Sequence, residues 1–428
     1  VNTLGAAAVL LILADLAGNL VRIPLFAASG KSAPLLPLDL VVAGMLLLGL
    51  LAVRRTARLP LDAVSRWAAL FGTVAAVSLA SAPARLGLAL TEVTFAAAYL
   101  VRWFAYFGIY ICVAEFVPVR DAERLARLLR LGIVAFALFG IVQSIALPGF
   151  AQLVYPDAQV YLDWDPQGHR LVSTFLDPNF AGILIVIGGC LWLGAFLAAD
   201  RAPAWEGLVL GVALLLTFSR SSLLAAMVAG GTLVLIRGVN ARLLAVGIGA
   251  TFLGVALVPV LLEYAGSLGK LTVDASALLR LIAWQRALQL VTEHPVLGIG
   301  FNTVGFVASR LGWTLRGAGG FGLDGGLLFI AALTGLAGLA AFVGMLVAVM
   351  RSARRSWRAA DTPAAHRGVA YAAAASVAAV TVHAFFTNTL LLSLLLAPCW
   401  LLWALPRALR RHPRGHPREP AVGRAIAA

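Results

Sequence analysis

The 428 residues are 61% hydrophobic and only 12% charged, with a mean hydropathy of +0.94, whereas soluble domains average about 45–50% apolar and about 25% charged residues. This excludes an ordinary soluble enzyme and points to an integral membrane protein. The net charge of +14 does not signal nucleic acid, because the arginines fall in short segments between apolar runs, where they report membrane topology.

The apolar runs are long and unalternating, close to the roughly 20 residues that carry a helix across hydrocarbon, so they predict helices and not barrel strands. The first, "VNTLGAAAVLLILADLAGNLVRIPL", has no basic leading region and is interrupted by Asp15 and Asn19, so it reads as a first membrane helix and not as a cleaved signal. Continuing along the chain gives about twelve spans, centred near residues 14, 45, 74, 100, 138, 187, 210, 228, 251, 337, 377 and 396. The expected fold is thus an all-α polytopic membrane protein: one membrane domain over residues 1–406 and a basic tail over 407–428, disordered or resting on anionic lipid.

Placing both termini in the cytoplasm puts "RRTARLPLDAVSR", "PVRDAERLARLLR", "RGVNAR", "RSARRSWRAADTPAAHR" and the tail inside, as the positive-inside bias demands. Two outer loops then exceed a turn, roughly residues 148–172 and 263–325, and loops of that length usually carry function. In the second, Leu278, Leu281, Ile282, Leu288 and Val291 recur at helical spacing around Arg280 and Arg286, which predicts an amphipathic helix at the outer interface. Cys112, Cys190 and Cys399 each lie inside an apolar run, so a disulfide framework is not expected, and the residue spacings form no metal-ligand cluster.

Against the charge bias, Arg170, Arg220, Arg280, Arg286, Arg310 and Arg316 stay outside. A guanidinium presents a rigid fork of donors that matches phosphate oxygens, so such a group suits a lipid-linked diphosphate; snorkelling to headgroups or pairing with local carboxylates is the competing explanation. Arg220 lies where a short outer turn meets a helix start, a position that also favours anions. Arg102, within "FAAAYLVRWFAYFGIYI", is expected to form a structural ion pair with Glu92 or Asp15.

The segment "HRLVSTFLDPNFAGILI" (169–185) resembles the Arg-x-x-Gly/Ser-Thr-Phe-x-Asn/Asp-Pro-Asn stretch of the O-antigen polymerase and ligase family. Three further segments follow in that family's order: "TFSRSSLLA", "RLIAWQRALQLVTEHPVLGIGFNTV" and "LDGGLLFIAALTGLAGL". The ordered set, over about residues 100–345, is far more specific than any one piece. The resemblance implies a GT-C-like membrane glycosyltransferase of the bacterial inner membrane with an outward-facing active site. It would take glycan from undecaprenyl diphosphate without cofactor or metal and deliver it to a glycan or to lipid A core, in some members beside a chain-length regulator. It further implies that Arg220 and Arg280 bind the donor diphosphate with Arg170 as a third candidate, and that Trp284, Pro295, Gly298 and Gly300 shape the loop. Many ligases of the family carry a histidine where this sequence has Asp324. A carboxylate can also act as general base, and Asp also caps helices well; loss of the histidine tilts the reading from ligase toward polymerase.

Asp177 and Asn179 in "FLDPNF" are candidates for capping a helix or for binding sugar hydroxyls. Asp163 and Asp165 are too few for a metal site, and Tyr155, Tyr161 and Trp164 fit either sugar stacking or an interfacial belt. A lipid-linked oligosaccharide flippase could use the same arginines, but it would be expected to show repeated halves and midplane charges. A peptidoglycan polymerase of the shape, elongation and division family shares the helix number but not the four ordered segments.

Overall fold

The computed structural model describes residues 2–28, 31–56, 62–156, 169–199, 202–239, 241–256, 275–313 and 325–410. The described residues form an all-helical bundle apart from one hairpin. In order run α1 (Thr3–Ala17), β1 (Ile23–Ala28), β2 (Lys31–Leu35), α2 (Pro37–Thr56), α3 (Ala63–Leu86), α4 (Leu90–Phe116), α5 (Val119–Ala146) and α6 (Phe150–Val154). Then come α7 (Pro178–Ala199), α8 (Ala204–Leu216), α9 (Arg220–Arg237), α10 (Ala241–Ala256), α11 (Ala275–Glu293), α12 (Val304–Arg310), α13 (Gly326–Arg358), α14 (Ala364–His383) and α15 (Ser393–Leu409). Every expected span centre falls within a helix. Among the described residues, seven helices meet both the length and the hydropathy needed to cross a membrane, and α1, α8 and α15 are shorter apolar helices. The antiparallel β1–β2 hairpin was not foreseen.

Local chemistry fixes several boundaries. Asp62 accepts the Ser65 amide at 2.7 Å and Gly87, at φ 63°, ends α3 in the left-handed region, a cap and stop that satisfy orphan helix-end groups. Long-range contacts sort the helix ends into two sets. At one end Asn2, Phe116 and Asp121 meet, His366 contacts Glu123 at 2.6 Å, and Arg407 pairs with Glu115 at 2.5 Å. At the other, Asn19 joins Phe175, Leu171 joins Leu216, and Gly326 joins Thr387. The up-and-down order alternates between these ends.

The most extensive helix pairing is α7 with α14. "AYAAAASVAAV" lines α14 with small residues, and Gly194 and Gly368 face each other so closely that a Cβ on either would collide with the other's carbonyl group. Small residues let membrane helices approach backbone to backbone, where dispersion replaces a hydrophobic drive that lipid cannot supply. Elsewhere aromatic rings fill the centre: Trp103 meets Phe71 edge-on at 4.9 Å, Phe107 meets Trp400 edge-on at 5.1 Å, and Trp103 stacks on Phe107 at 6.0 Å.

Arg102 pairs with neither of its expected carboxylates. Its guanidinium donates to Asp39 at 2.9 Å and to the Pro34 carbonyl at 2.6 Å, and Tyr106 donates to the other Asp39 oxygen at 3.1 Å. Glu92 instead pairs with Arg310 at 2.5 Å, so the carboxylate partner expected as one explanation for Arg310 is present. Asp15 is buried, with its Oδ1 lacking a hydrogen-bond partner among the described residues.

The segment from His294 to Thr303 enters the bundle beside α13, which breaks at Gly335 (φ 68°, ψ −175°). Backbone bonds bridge the break: Leu336 N donates to Pro295 O at 2.8 Å, Ile299 N to Ala332 O at 2.9 Å and Gly300 N to Leu333 O at 3.0 Å. Ser78 of α3 donates to the Leu333 and Leu297 carbonyls, and Arg85 to Gly298 O at 2.8 Å. Irregular backbone at membrane depth survives only when protein satisfies it. Gly298, at φ 64°, has no room for a Cβ, which would meet Ala332 O and Leu333 C of α13, whereas a Cβ on Gly300, at φ 106°, would meet Ala82 of α3 and the Thr303 side chain.

Candidate functional site

The site grows from three helix starts and one helix end. Asp177 accepts the amides of Asn179 at 2.7 Å and Phe180 at 3.1 Å, so it caps α7 as the sequence allowed. Asn179, the second residue of α7, then uses its Oδ1 to accept the Ser219 hydroxyl at 2.8 Å. Ser219 in turn caps α9, its side chain accepting from the Ser222 amide, and Arg220 opens that helix with its side chain exposed. The α8–α9 turn is tight, with Phe218 at φ 50°.

Beneath this turn lies Arg170, only 9% exposed. Its Nε donates to Thr217 O at 3.0 Å and its Nη2 to Phe218 O at 3.5 Å. The guanidinium thereby braces the carbonyls of the turn that presents Arg220. Gln143 supports the same region, accepting the Val172 and Ser173 amides at 3.0 Å each.

The helix end is that of α14, and it was not singled out in the sequence. Buried His383 places Nε2 3.2 Å from the Ser222 hydroxyl and Nδ1 2.6 Å from Thr389 Oγ1 and 2.9 Å from Thr387 Oγ1. The turn that follows, "AFFTNT", seats α11. Trp284 donates its indole N–H to Phe385 O at 3.1 Å and its ring lies 6.2 Å from that of Phe386. The Arg280 guanidinium sits 6.0 Å over the Phe386 ring, a cation–π distance. Gly325 fits between Phe385 O and Trp284 Nε1, each 3.0 Å from where a Cβ would stand. The start of α13 is tied to the same turn through Gly326 N and Thr387 O at 3.1 Å.

Asp177, Asn179, Trp284 and Arg280 are therefore linked through one connected cluster, with Arg220 adjoining it as the residue after Ser219. Arg286 is separate: its guanidinium stacks 5.0 Å over Trp313, and six residues along a helix turn it about 240° from Arg280. The α11 helix exists as expected, but it buries Ala283, Ala287 and Leu290. Leu281 and Leu288, assigned to the same apolar set, are 60% and 51% exposed. Asp324 and Arg316 lie outside the described residues, as do Asp163, Asp165, Tyr161 and Trp164.

Helix starts carry partial positive charge and unpaired amides. Three of them, at Pro178, Arg220 and Gly326, gather here with two arginines in a multi-pass membrane protein, an arrangement suited to a polyanionic group at one membrane face. Residues 207–343 match the family model described as O-antigen ligase. That match supports the O-antigen polymerase and ligase reading of the ordered segments, and with it activity of that general type. It spans Arg220, Arg280, Trp284, Arg286 and Asp324, and stops short of His383. No curated protein matches the chain.

Proposed function

We propose that the protein transfers glycan from an undecaprenyl-diphosphate donor to an acceptor hydroxyl at the outer face of the bacterial inner membrane, extending lipid-linked O-antigen or exopolysaccharide repeat units. The observation that carries this reading is the convergence of helix starts: Arg220 opens α9 beside the Ser219–Asn179 bond, and Arg280 stacks over Phe386 in the turn whose His383 meets Ser222 of α9. The acceptor oxygen attacks the anomeric carbon, the carbon–oxygen bond to the diphosphate breaks, and Asp324 takes the hydroxyl proton. Charge grows on the departing diphosphate, so pre-positioned guanidiniums stabilise the transition state more than the bound donor. Asn179 and Asp177 contribute sugar-facing polar groups beside their capping roles, Trp284 holds the Arg280 helix on its turn, and Arg170 braces the Arg220 turn. Arg286, stacked over Trp313, is a further substrate-binding candidate. Both termini lie in the cytoplasm and the chemistry needs no metal. A chain-length regulator is its partner in polymerisation.

The ligase description of the matched family favours a second reading, in which lipid A core is the acceptor. Electrophoresis of surface glycan from cells lacking the gene separates the two, with lipid-linked intermediates analysed in the same extract. Core or lipid carrying one repeat unit supports polymerisation. Long chains retained on undecaprenyl diphosphate beside bare core establish ligation, and an unchanged glycan profile refutes both.

A further inference from the structure

His383 lies forty residues beyond the matched segment, yet it is the contact that ties α14 to the start of α9. Its ring is fully buried, and each nitrogen has a specific hydroxyl partner. A neutral imidazole offers one donor and one acceptor, and both ends are used. On the Nδ1 side the Thr387 and Thr389 hydroxyls are also bonded to each other at 2.7 Å, which anchors the ring to its own turn. On the Nε2 side Ser222 Oγ continues the chain to Ser219 Oγ at 2.9 Å and to Asn179 O at 3.3 Å.

Resting on the donor-diphosphate reading above, we infer that His383 is a positioning residue for donor binding. It holds Ser222, and through Ser222 the Ser219 cap and Asn179, so that Arg220 stays in register with Arg280 on the far side of the same turn. Of the three partners of the Ser222 hydroxyl, His383 is the one on α14, so cutting the link at Nε2 unties the first turn of α9 from α14 and frees it to rotate. Arg220 then meets the diphosphate off its aligned geometry, while the acceptor side of the reaction is untouched.

Two amides separate this role from simple packing. Glutamine reaches as far as Nε2 and preserves the bond to Ser222; asparagine reaches only the Nδ1 position and preserves the threonine side. With purified full-length protein, a lipid-diphosphate-linked donor and its acceptor, His383→Asn and Ser222→Ala are each expected to raise the donor KM about tenfold, equivalent to about 1.4 kcal/mol. The acceptor KM stays unchanged, His383→Gln stays within about twofold of the parent, and combining His383→Asn with Ser222→Ala adds little, as coupled neighbours require. Thermal unfolding of each variant runs alongside. If Asn and Gln variants are equally impaired, if donor and acceptor KM rise together in step with lost thermal stability, or if Ser222→Ala is kinetically silent, the inference is wrong. Binding of undecaprenyl diphosphate to the parent protein is measured first: no binding overturns the donor reading and the inference with it, whereas binding with unaltered affinity in His383→Asn and Ser222→Ala overturns the inference alone.

Discussion

Replacing Gly335 with alanine tests the interlock between α13 and the His294–Thr303 segment. Gly335 occupies φ 68°, ψ −175°, a region that only glycine adopts without strain, and a side chain there costs about 1–3 kcal/mol. An added Cβ would also collide with the carbonyl group of Val296 and crowd Leu297 N at 2.6 Å. Backbone cannot swing aside as a long side chain can, so overpacking adds about 1–3 kcal/mol. Relief requires the segment to withdraw, which strains the three backbone bonds across the break, each worth about 0.5–1.5 kcal/mol. The sum is about 2–6 kcal/mol, and at about 2–4 °C per kcal/mol for chains of intermediate length, less for one this long, the unfolding midpoint in detergent should fall by at least about 3 °C. Gly230→Ala is the matched control, since a Cβ there meets nothing within 4 Å and alanine favours a helix interior. A Gly335→Ala protein that unfolds within about 1 °C of the parent refutes the claim that backbone contact dictates this glycine.

Arg280→Ala should reduce kcat/KM for a lipid-linked donor by about 10²–10³, the loss typical of one transition-state donor, and polymer-length analysis in complemented cells will show whether it does. Asp324→Asn should abolish turnover while undecaprenyl diphosphate still binds; equal activity would leave Asp324 with a capping role only. Arg102→Met should destabilise the protein by about 1–3 kcal/mol, because it leaves the half-buried Asp39 carboxylate without its cation, and thermal unfolding reads this directly. Arg286→Ala, whose parent stacks on Trp313 away from the cluster, should affect donor KM less than Arg280→Ala in the same kinetic assay.

The helices were legible because unbroken apolar length is a strong and local signal: the run around residue 187 becomes α7, and that around residue 337 becomes α13. The hairpin was not, since "IPLFAA" and "KSAPL" are short, carry prolines and make their pairs with each other only across a turn. The Arg102 partner was misassigned for a related reason. Glu92 precedes it on the same helix and Asp15 shares the apolar environment, but Asp39 arrives from α2, and proximity between helices leaves no periodic trace in sequence. Arg220 and Arg280 were singled out by charge against the topology. His383 carried no such mark: a lone histidine at the end of an alanine-rich run resembles core filler until the Ser222 contact is seen. Its signal was the hydroxyl-rich "TNT" that follows, which supplies the two threonine partners.

At the Gly194–Gly368 crossing no side chain separates α7 from α14, and side chains are what allow packed helices to slide, since rotamers can exchange one set of grooves for another. These two helices act instead as a single double-thickness strut carrying Asn179 at the tip of one half and His383 at the tip of the other.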